Sequence, residues 1–265
     1  MNRDHRDRDA DVAACDDAPG MRVLFAIGLT ILFVIGGLLG LVIGAAIFPV
    51  SLWRRARAVH TEGVVCRAEL VPLHPDAARL AGPAVVRLSG ALERQTTTGT
   101  DILGLDIRMQ SEPRDDAGIG DQDLLLGTFE SFLTAARDRA RTDAGDYLAN
   151  RYSTVTPWWL TGRGPVILRL LPAVPAAPDR GADRLARLDA DLAAGRAGFT
   201  LAVGTGSDQV ALADLRLTER LAIDDRRLRA SMFRQGRGVR PLGLRNGIRA
   251  TVYPLSQLAR RLRGG

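Results

Sequence analysis

Residues 57–89 read RAVHTEGVVCRAELVPLHPDAARLAGPAVVRLS. Between Gly63 and Val71 apolar and polar side chains alternate in places, as where polar Arg67 and Glu69 stand among apolar residues. A period of two residues is typical of a β-strand with one buried face. A second apolar run, Pro83 to Leu88, lies between glycines and predicts another strand. The segment therefore predicts two strands.

The rest of the chain mixes strands with helices. Four further apolar runs predict strands, at residues 102–109, 165–171, 199–203 and 209–217. Three segments have apolar residues at helical spacing and predict helices, at residues 124–148, 183–196 and 249–263. No βαβ unit repeats, so the pattern indicates the α+β class.

Composition excludes several classes of protein. The chain has 265 residues and a formal charge of +6, and all 36 of its basic residues are arginine. The arginines alternate with aspartate and alanine, so we expect no nucleic-acid partner. Two cysteines, Cys15 and Cys66, are too few for a disulfide scaffold. Signatures such as a P-loop, HExxH, G-x-S-x-G or paired CxxC do not occur.

An uncharged apolar run extends from Val23 to Val50. About 20 apolar residues suffice to span a bilayer, whereas the apolar region of a signal peptide has only about 7–15. Trp53 and the arginines after it stand where interfacial anchors belong. We therefore predict a disordered tail over 1–21, a transmembrane helix over 22–53 and a main domain over 54–265. Cleavage as a signal peptide is the alternative.

The flanking charges predict the orientation of this single-pass protein in the cell membrane. Arginines on the two sides nearly balance, but Arg54, Arg55 and Arg57 are the denser cluster and favour a cytoplasmic C-terminal domain. Within the span, Gly36, Gly40 and Gly44 are spaced four apart, and such glycines allow close helix approach. They predict a homo-oligomer, although glycine is also simply common in membrane helices.

Three short motifs appear in order along the chain. The segment 57–63 has the form R-x-x-H-x-x-G, and residues 86–89 read VRLS. Near the end, residues 249–254 read RATVYP, and Arg260 follows seven residues after Tyr253. In these motifs and their order the chain resembles the haem catalase family. The resemblance implies an antiparallel catalase-like β-barrel with flanking helices, here preceded by the transmembrane helix.

The resemblance also implies a haem b site. Tyr253 would ligate the iron as tyrosinate, and Arg249, four residues earlier on a helix, would favour the ionised phenol. His60 would move a proton between the two peroxide oxygens, and Ser89 would be hydrogen-bonded to the imidazole of His60. Arginine pairs well with carboxylates, and the arginines implied at the haem propionates are Arg57, Arg87 and Arg260. The implied activity is weak peroxidase or hydroperoxide decomposition, and the implied substrate is a hydroperoxide.

The sequence also departs from the family pattern. Residues 123–128, DLLLGT, have no asparagine where the family has one, and Leu88 and Leu103 replace an aromatic and an arginine. A haem-free catalase fold that acts as a membrane-tethered binding or interaction module is therefore the alternative. His60 and Tyr253 could also be ordinary core residues, in a domain without any relation to catalase.

Overall fold

The computed structural model describes residues 19–54, 63–91, 100–131, 133–175, 180–225 and 228–261. The strands are β1 Gly63–Pro72, β2 Gly82–Gly90, β3 Leu103–Met109, β4 Gln122–Gly127, β5 Tyr152–Ser153, β6 Trp158–Leu160, β7 Gly164–Val166, β8 Leu168–Pro172, β9 Gly198–Val203, β10 Val210–Leu221 and β11 Val239–Pro241. The α-helices are α1 Pro19–Arg54, α2 Ala135–Arg141, α3 Arg184–Ala193 and α4 Leu244–Arg261.

Eight strands close into a barrel in the order β1-β10-β9-β8-β5-β4-β3-β2, and their described pairings are all antiparallel. The three remaining strands form a small sheet in the order β11-β6-β7. Closure gives every barrel strand two neighbours and leaves no free edge among them. The α+β class, the antiparallel barrel and the flanking helices are thus confirmed.

Apolar side chains fill the interior of the barrel. Along β2, Ala84, Val86 and Leu88 belong to the main buried cluster, while Arg87 and Ser89 alternate with them. Val86 lies between Cys66 on β1 and Ile107 on β3, so neighbouring strands contribute to one layer. Each fully buried aliphatic side chain of this kind stabilises the fold by roughly 1.5–3 kcal/mol.

The helix predicted over 124–148 is wrong for most of its length. Leu124, Leu125 and Leu126 are all buried within β4, and among the described residues of this segment only 135–141 are α-helical. A strand that is covered on both faces has a continuous apolar run without alternation. Such a short run cannot be distinguished from a buried helix by its periodicity.

Helix α4 packs along one face of α1. Gly36, Gly40 and Gly44 are buried there, and Leu244 and Leu255 of α4 lie against the first and the last of them. A Cβ at Gly36 or Gly40 would overlap the backbone of α4, so the glycines permit the close approach. The glycine repeat therefore has a partner within the chain. Association of two copies through it stays a prediction.

The buried thiol of Cys66 predicts a loss of stability at alkaline pH. Burial raises its pKa from 9.0 to about 12, although the nearby Arg220 cation opposes the rise. Below pH 9 the thiol is protonated in the folded and the unfolded chain. Between pH 9 and about 12 the unfolded chain loses a proton that the folded chain keeps, so the free energy of unfolding falls as pH rises.

We expect urea midpoints to show this fall between about pH 8 and about pH 10.5, and to show less of it in Cys66→Ala than in the wild type. Each variant is compared with its own midpoint at the lower pH, which removes the direct effect of the substitution. An equal fall in both proteins would contradict the assignment to Cys66.

Candidate functional site

Strand β2 places Arg87 and Ser89 on the outer face of the barrel. Val86 between β1 and β3 belongs to the interior cluster, and successive side chains of a strand point to opposite faces. Ser89 lies opposite Gly63 in the β1–β2 register. A Cβ at Gly63 would lie 3.0 Å from Cζ of Arg87. The pairing of β1 with β2 thus brings the end of segment 57–63 to the VRLS motif.

Arg87 is a buried cation that two carboxylates hold in place. Its side chain is 1% exposed. Nε and Nη2 donate to Oδ2 of Asp225 at 2.9 and 2.6 Å, and Nη1 lies 3.8 Å from Oδ2 of Asp106, directly across on β3. A charge is buried at acceptable cost only when it is paired and hydrogen-bonded. Asp106 and Asp225 therefore neutralise Arg87.

Apolar side chains cover the outer face beside this ion pair. Val65 on β1, Val85 on β2 and Leu228 form a small buried cluster, and Leu221 and Ile223 pack against it. The chain beyond β10 therefore lies over the barrel here and brings Asp225 to Arg87. Because this cover lowers the local dielectric, it strengthens the ion pair and makes an unpaired charge costly.

The hydroxyl of Ser89 is also used within the barrel. Its Oγ donates to the carbonyl oxygen of Gly104, the residue opposite on β3, at 3.4 Å. Ser89 is 2% exposed. This long hydrogen bond satisfies a buried hydroxyl and joins two strands.

Tyr147 lies close enough to this site for the charge of Arg87 to lower its pKa. Burial raises the pKa of Tyr147, and the cations Arg184 and Arg87 partly oppose the rise. Cζ of Arg184 lies 5.2 Å from the centre of the Tyr147 ring, at cation–π distance. Tyr147 is therefore a neutral phenol near pH 7. Neither Tyr147 nor Arg184 belongs to a sequence motif, so the sequence alone gives no sign of this contact.

The other residues that the sequence predicts for the site are less fully described. Arg57 and His60 lie outside the described residues. Arg249 is half-buried on α4. Tyr253 and Arg260 lie on the same helix, with side chains outside the described part. Helix α4 continues through Pro254 to its end at Arg261 and packs mainly along α1. The roles proposed for these five residues stay predictions.

The 123–128 run has structural roles in the barrel. Asp123 is buried at the start of β4 and pairs with Arg108 at 3.1 Å and with Arg234. Oγ1 of Thr128 accepts a hydrogen bond from the backbone N–H of Leu103 at 3.0 Å. The run therefore connects β4 to β3 and to the segment around Arg234.

A second buried ion cluster, which no sequence motif indicates, includes Asp146, the chain neighbour of Tyr147. Arg180 bonds to both Asp146 and Asp191, and Asp191 also accepts from Arg196 at 3.1 Å. Asp191 is on α3 and Asp146 follows α2, so the cluster joins the two helical segments. Among the residues that the structure describes, no group of three or more His, Cys, Asp or Glu is placed to hold a metal ion.

The described residues around Arg87 do not fit a haem propionate. Asp225 already accepts from Nε and Nη2 of the guanidinium and Asp106 lies near Nη1, so a propionate would have to displace a carboxylate that this buried cation already holds. The adjoining outer face is filled by Val65, Val85 and Leu228.

Solved structures of catalases share the fold of this chain. A fungal catalase matches with a TM-score of 0.54 and 13% identity, over 81% of this chain and 62% of its own. A bacterial catalase matches with a TM-score of 0.50 and 13% identity, over 82% of this chain and 60% of its own. The chain thus spans about three-fifths of the length of these catalases. No protein-family model and no curated protein sequence matches it. The chain therefore has a catalase-like fold.

Proposed function

We propose that this chain is a haem-free, catalase-fold module that is tethered to a membrane and serves binding or interaction. The observation that carries the proposal is the Arg87–Asp225 pair, together with Asp106. A propionate would have to displace Asp225 from a buried cation. The displaced carboxylate would lose this buried cation as a partner, which is costly beside apolar side chains. The tether is helix α1, which contains the segment Val23–Ala45, long and apolar enough to cross a bilayer.

The second candidate is a haem-dependent peroxidase or hydroperoxide-decomposing protein. One observation favours it: the β1–β2 register sets Gly63, the end of the R-x-x-H-x-x-G segment, beside Arg87 and opposite Ser89. This is the order of motifs on which the resemblance to catalases rests. Under this candidate Tyr253 would ligate the iron and Arg249 would favour its ionised form. Arg57, Arg87 and Arg260 would pair with the haem propionates.

A visible absorption spectrum of the full-length protein, purified in detergent after haem supplementation, separates the two candidates. We expect no Soret band above that of free haem, and the same spectrum for Tyr253→Phe. A Soret band in the wild type that is lost in Tyr253→Phe would overturn the haem-free proposal in favour of the peroxidase.

The haem-free proposal also predicts that the implied haem residues tolerate substitution. We expect His60→Ala and Tyr253→Phe to co-sediment with membranes like the wild type, with thermal midpoints changed by no more than about 2 °C, as for changes worth under about 0.5 kcal/mol. Both variants are measured with and without added haem. A thermal midpoint that added haem raises in the wild type, but in neither variant, would contradict the proposal.

A further inference from the structure

Helices α1 and α4 run parallel and in contact over much of the apolar segment. The backbone N–H of Gly243, just before α4, donates to the carbonyl oxygen of Leu29 at 2.9 Å. Further along, Gly247 lies against Phe33, and Leu255 lies against Gly44. Residues 29–44 of α1 therefore have α4 beside them along their whole length.

The start of α4 is fixed in the folded domain. Asn246 is fully buried, and its Oδ1 accepts from Oγ1 of Thr156 at 2.8 Å. Its Nδ2 donates to the carbonyl oxygens of Pro157 and Leu242, both at 3.0 Å. Ala250, one turn later, belongs to the main core cluster. Buried hydrogen bonds therefore fix the position of the start of α4 relative to the barrel.

Helix α1 itself also contacts the domain. The side chain of Phe33 packs against the main core cluster, and α1 contacts strand β7. The segment Val23–Ala45 has its midpoint at residue 34, halfway between its ends. The centre of the apolar segment therefore lies at the level of the folded domain.

This arrangement conflicts with a bilayer-spanning α1. Leu244 contacts Gly36, two residues from the midpoint, which corresponds to roughly 3 Å along the axis. The exposed side chain of Arg245 beside it would then lie near the bilayer centre, where a charged group is unfavourable. The loop at Thr156 and Pro157, to which Asn246 is hydrogen-bonded, would then lie at the level of the hydrocarbon together with the folded domain.

The face of α1 away from α4 is apolar and exposed. At about 100° per residue, its exposed side chains cover more than half of the helix circumference. They are Val23, Leu24, Ile27, Ile31, Leu32, Val34, Ile35, Leu38, Leu39, Leu41 and Val42. The segment Val23–Ala45 that carries this strip has 23 residues and is roughly 34 Å long. The strip fits the acyl chains of one leaflet when the helix lies flat.

We propose that α1 lies in the plane of the membrane, with this strip in one leaflet of an anionic bilayer, and does not span it. This inference rests on the membrane association in the proposed function. Helix α4 and the barrel then lie on the water side of α1. The arginine-rich chain, with a formal charge of +6, favours anionic headgroups. The tail and the barrel are therefore on the same side of the membrane.

Cysteine labelling in inverted membrane vesicles tests the sidedness. Cys15 in the tail is a native reporter, and Cys66 is buried and silent. A second reporter is Ser207→Cys, on the exposed turn Gly206–Asp208, in a Cys15→Ser chain. We expect a membrane-impermeant maleimide to label both reporters to the same extent. Labelling of one reporter alone would show a spanning helix and overturn the inference, while leaving the membrane tether intact.

A disulfide between α1 and α4 tests the pairing in the membrane itself. A Cβ at Gly37 would lie 3.8 Å from Cγ2 of Thr251, so cysteine side chains at these two positions would be in contact. We expect Gly37→Cys with Thr251→Cys, in the Cys15→Ser chain, to cross-link in membranes as fully as in detergent. Gly28→Cys with Thr251→Cys is the matched control, because nothing lies within 4 Å of a Cβ at Gly28. Cross-linking in detergent only would show that α1 leaves α4 to insert, and would overturn the inference.

Flotation with vesicles of anionic lipid separates failure of the inference from failure of the tether. We expect the wild type to float, and to float less with purely zwitterionic vesicles. A chain that stays soluble as a monomer would overturn both the tether and the inference. A soluble dimer whose strip is protected from labelling at Leu38→Cys would show that a second copy covers this face.

Discussion

Replacing Arg87 by alanine is expected to lower the free energy of unfolding by about 3–5 kcal/mol. The guanidinium is 1% exposed and bonds to Asp225 and Asp106. Its removal takes from both carboxylates the buried cation with which they pair. Urea titration followed by far-UV circular dichroism, in the detergent used for purification, measures the loss. Asp225→Asn removes one of the two carboxylates and is expected to cost less.

Arg67→Ala is the matched control on the neighbouring strand. Arg67 pairs with Glu219 at 2.8 Å and with Asp115 at 3.4 Å, but these partners are 59% and 56% exposed. Exposed ion pairs are worth about 0–1 kcal/mol, so the control should change stability little. Equal losses in the two variants would contradict a structural role for the Arg87 pair. They would also remove the main support for the haem-free proposal.

Replacing Gly36 by alanine is expected to separate α4 from α1. A Cβ at this position would overlap the carbonyl group of Leu244, which is helix backbone and cannot rotate away. Overpacking of a close contact costs about 1–3 kcal/mol. The expected result is a lower thermal midpoint and a several-fold lower yield of the Gly37→Cys/Thr251→Cys cross-link.

Gly28→Ala is the control on the same helix, because an added Cβ there meets no atom within 4 Å. Alanine is the better helix former by about 1 kcal/mol, so this variant should keep its cross-link and its midpoint, or raise the midpoint slightly. A Gly36→Ala chain that behaves like Gly28→Ala would contradict the packing of α4 on the glycines.

Local patterns in the sequence predicted much of the secondary structure. The alternation around Arg67 and Glu69 corresponds to β1, and the helix predicted over 183–196 corresponds to α3, whose N-terminus is capped by Asp183. Leu124 to Leu126 show the limit of such patterns, since a strand buried on both faces has lost the period that identifies it.

The candidate site was predictable only in part for a related reason. Arg87 and Ser89 share a strand face because they are two residues apart, and this is visible in the sequence. Asp225 lies 138 residues from Arg87, and no spacing rule connects them. A buried arginine requires a carboxylate, but the sequence offers many aspartates and does not indicate which one comes close.

The sequence by itself determined the apolar helix α1, most strands and the motif spacing, because these depend on side chains two to four residues apart. Only the tertiary structure decided the closed order of the barrel, the pairing of Arg87 with Asp225, and the placement of α4 on Gly36, Gly40 and Gly44. These contacts join distant segments, and they depend on which surfaces fit together once the chain has collapsed. The packing of α4 on α1 also affects whether α1 spans a membrane or lies in its plane. The apolar composition of α1 alone does not distinguish these two arrangements.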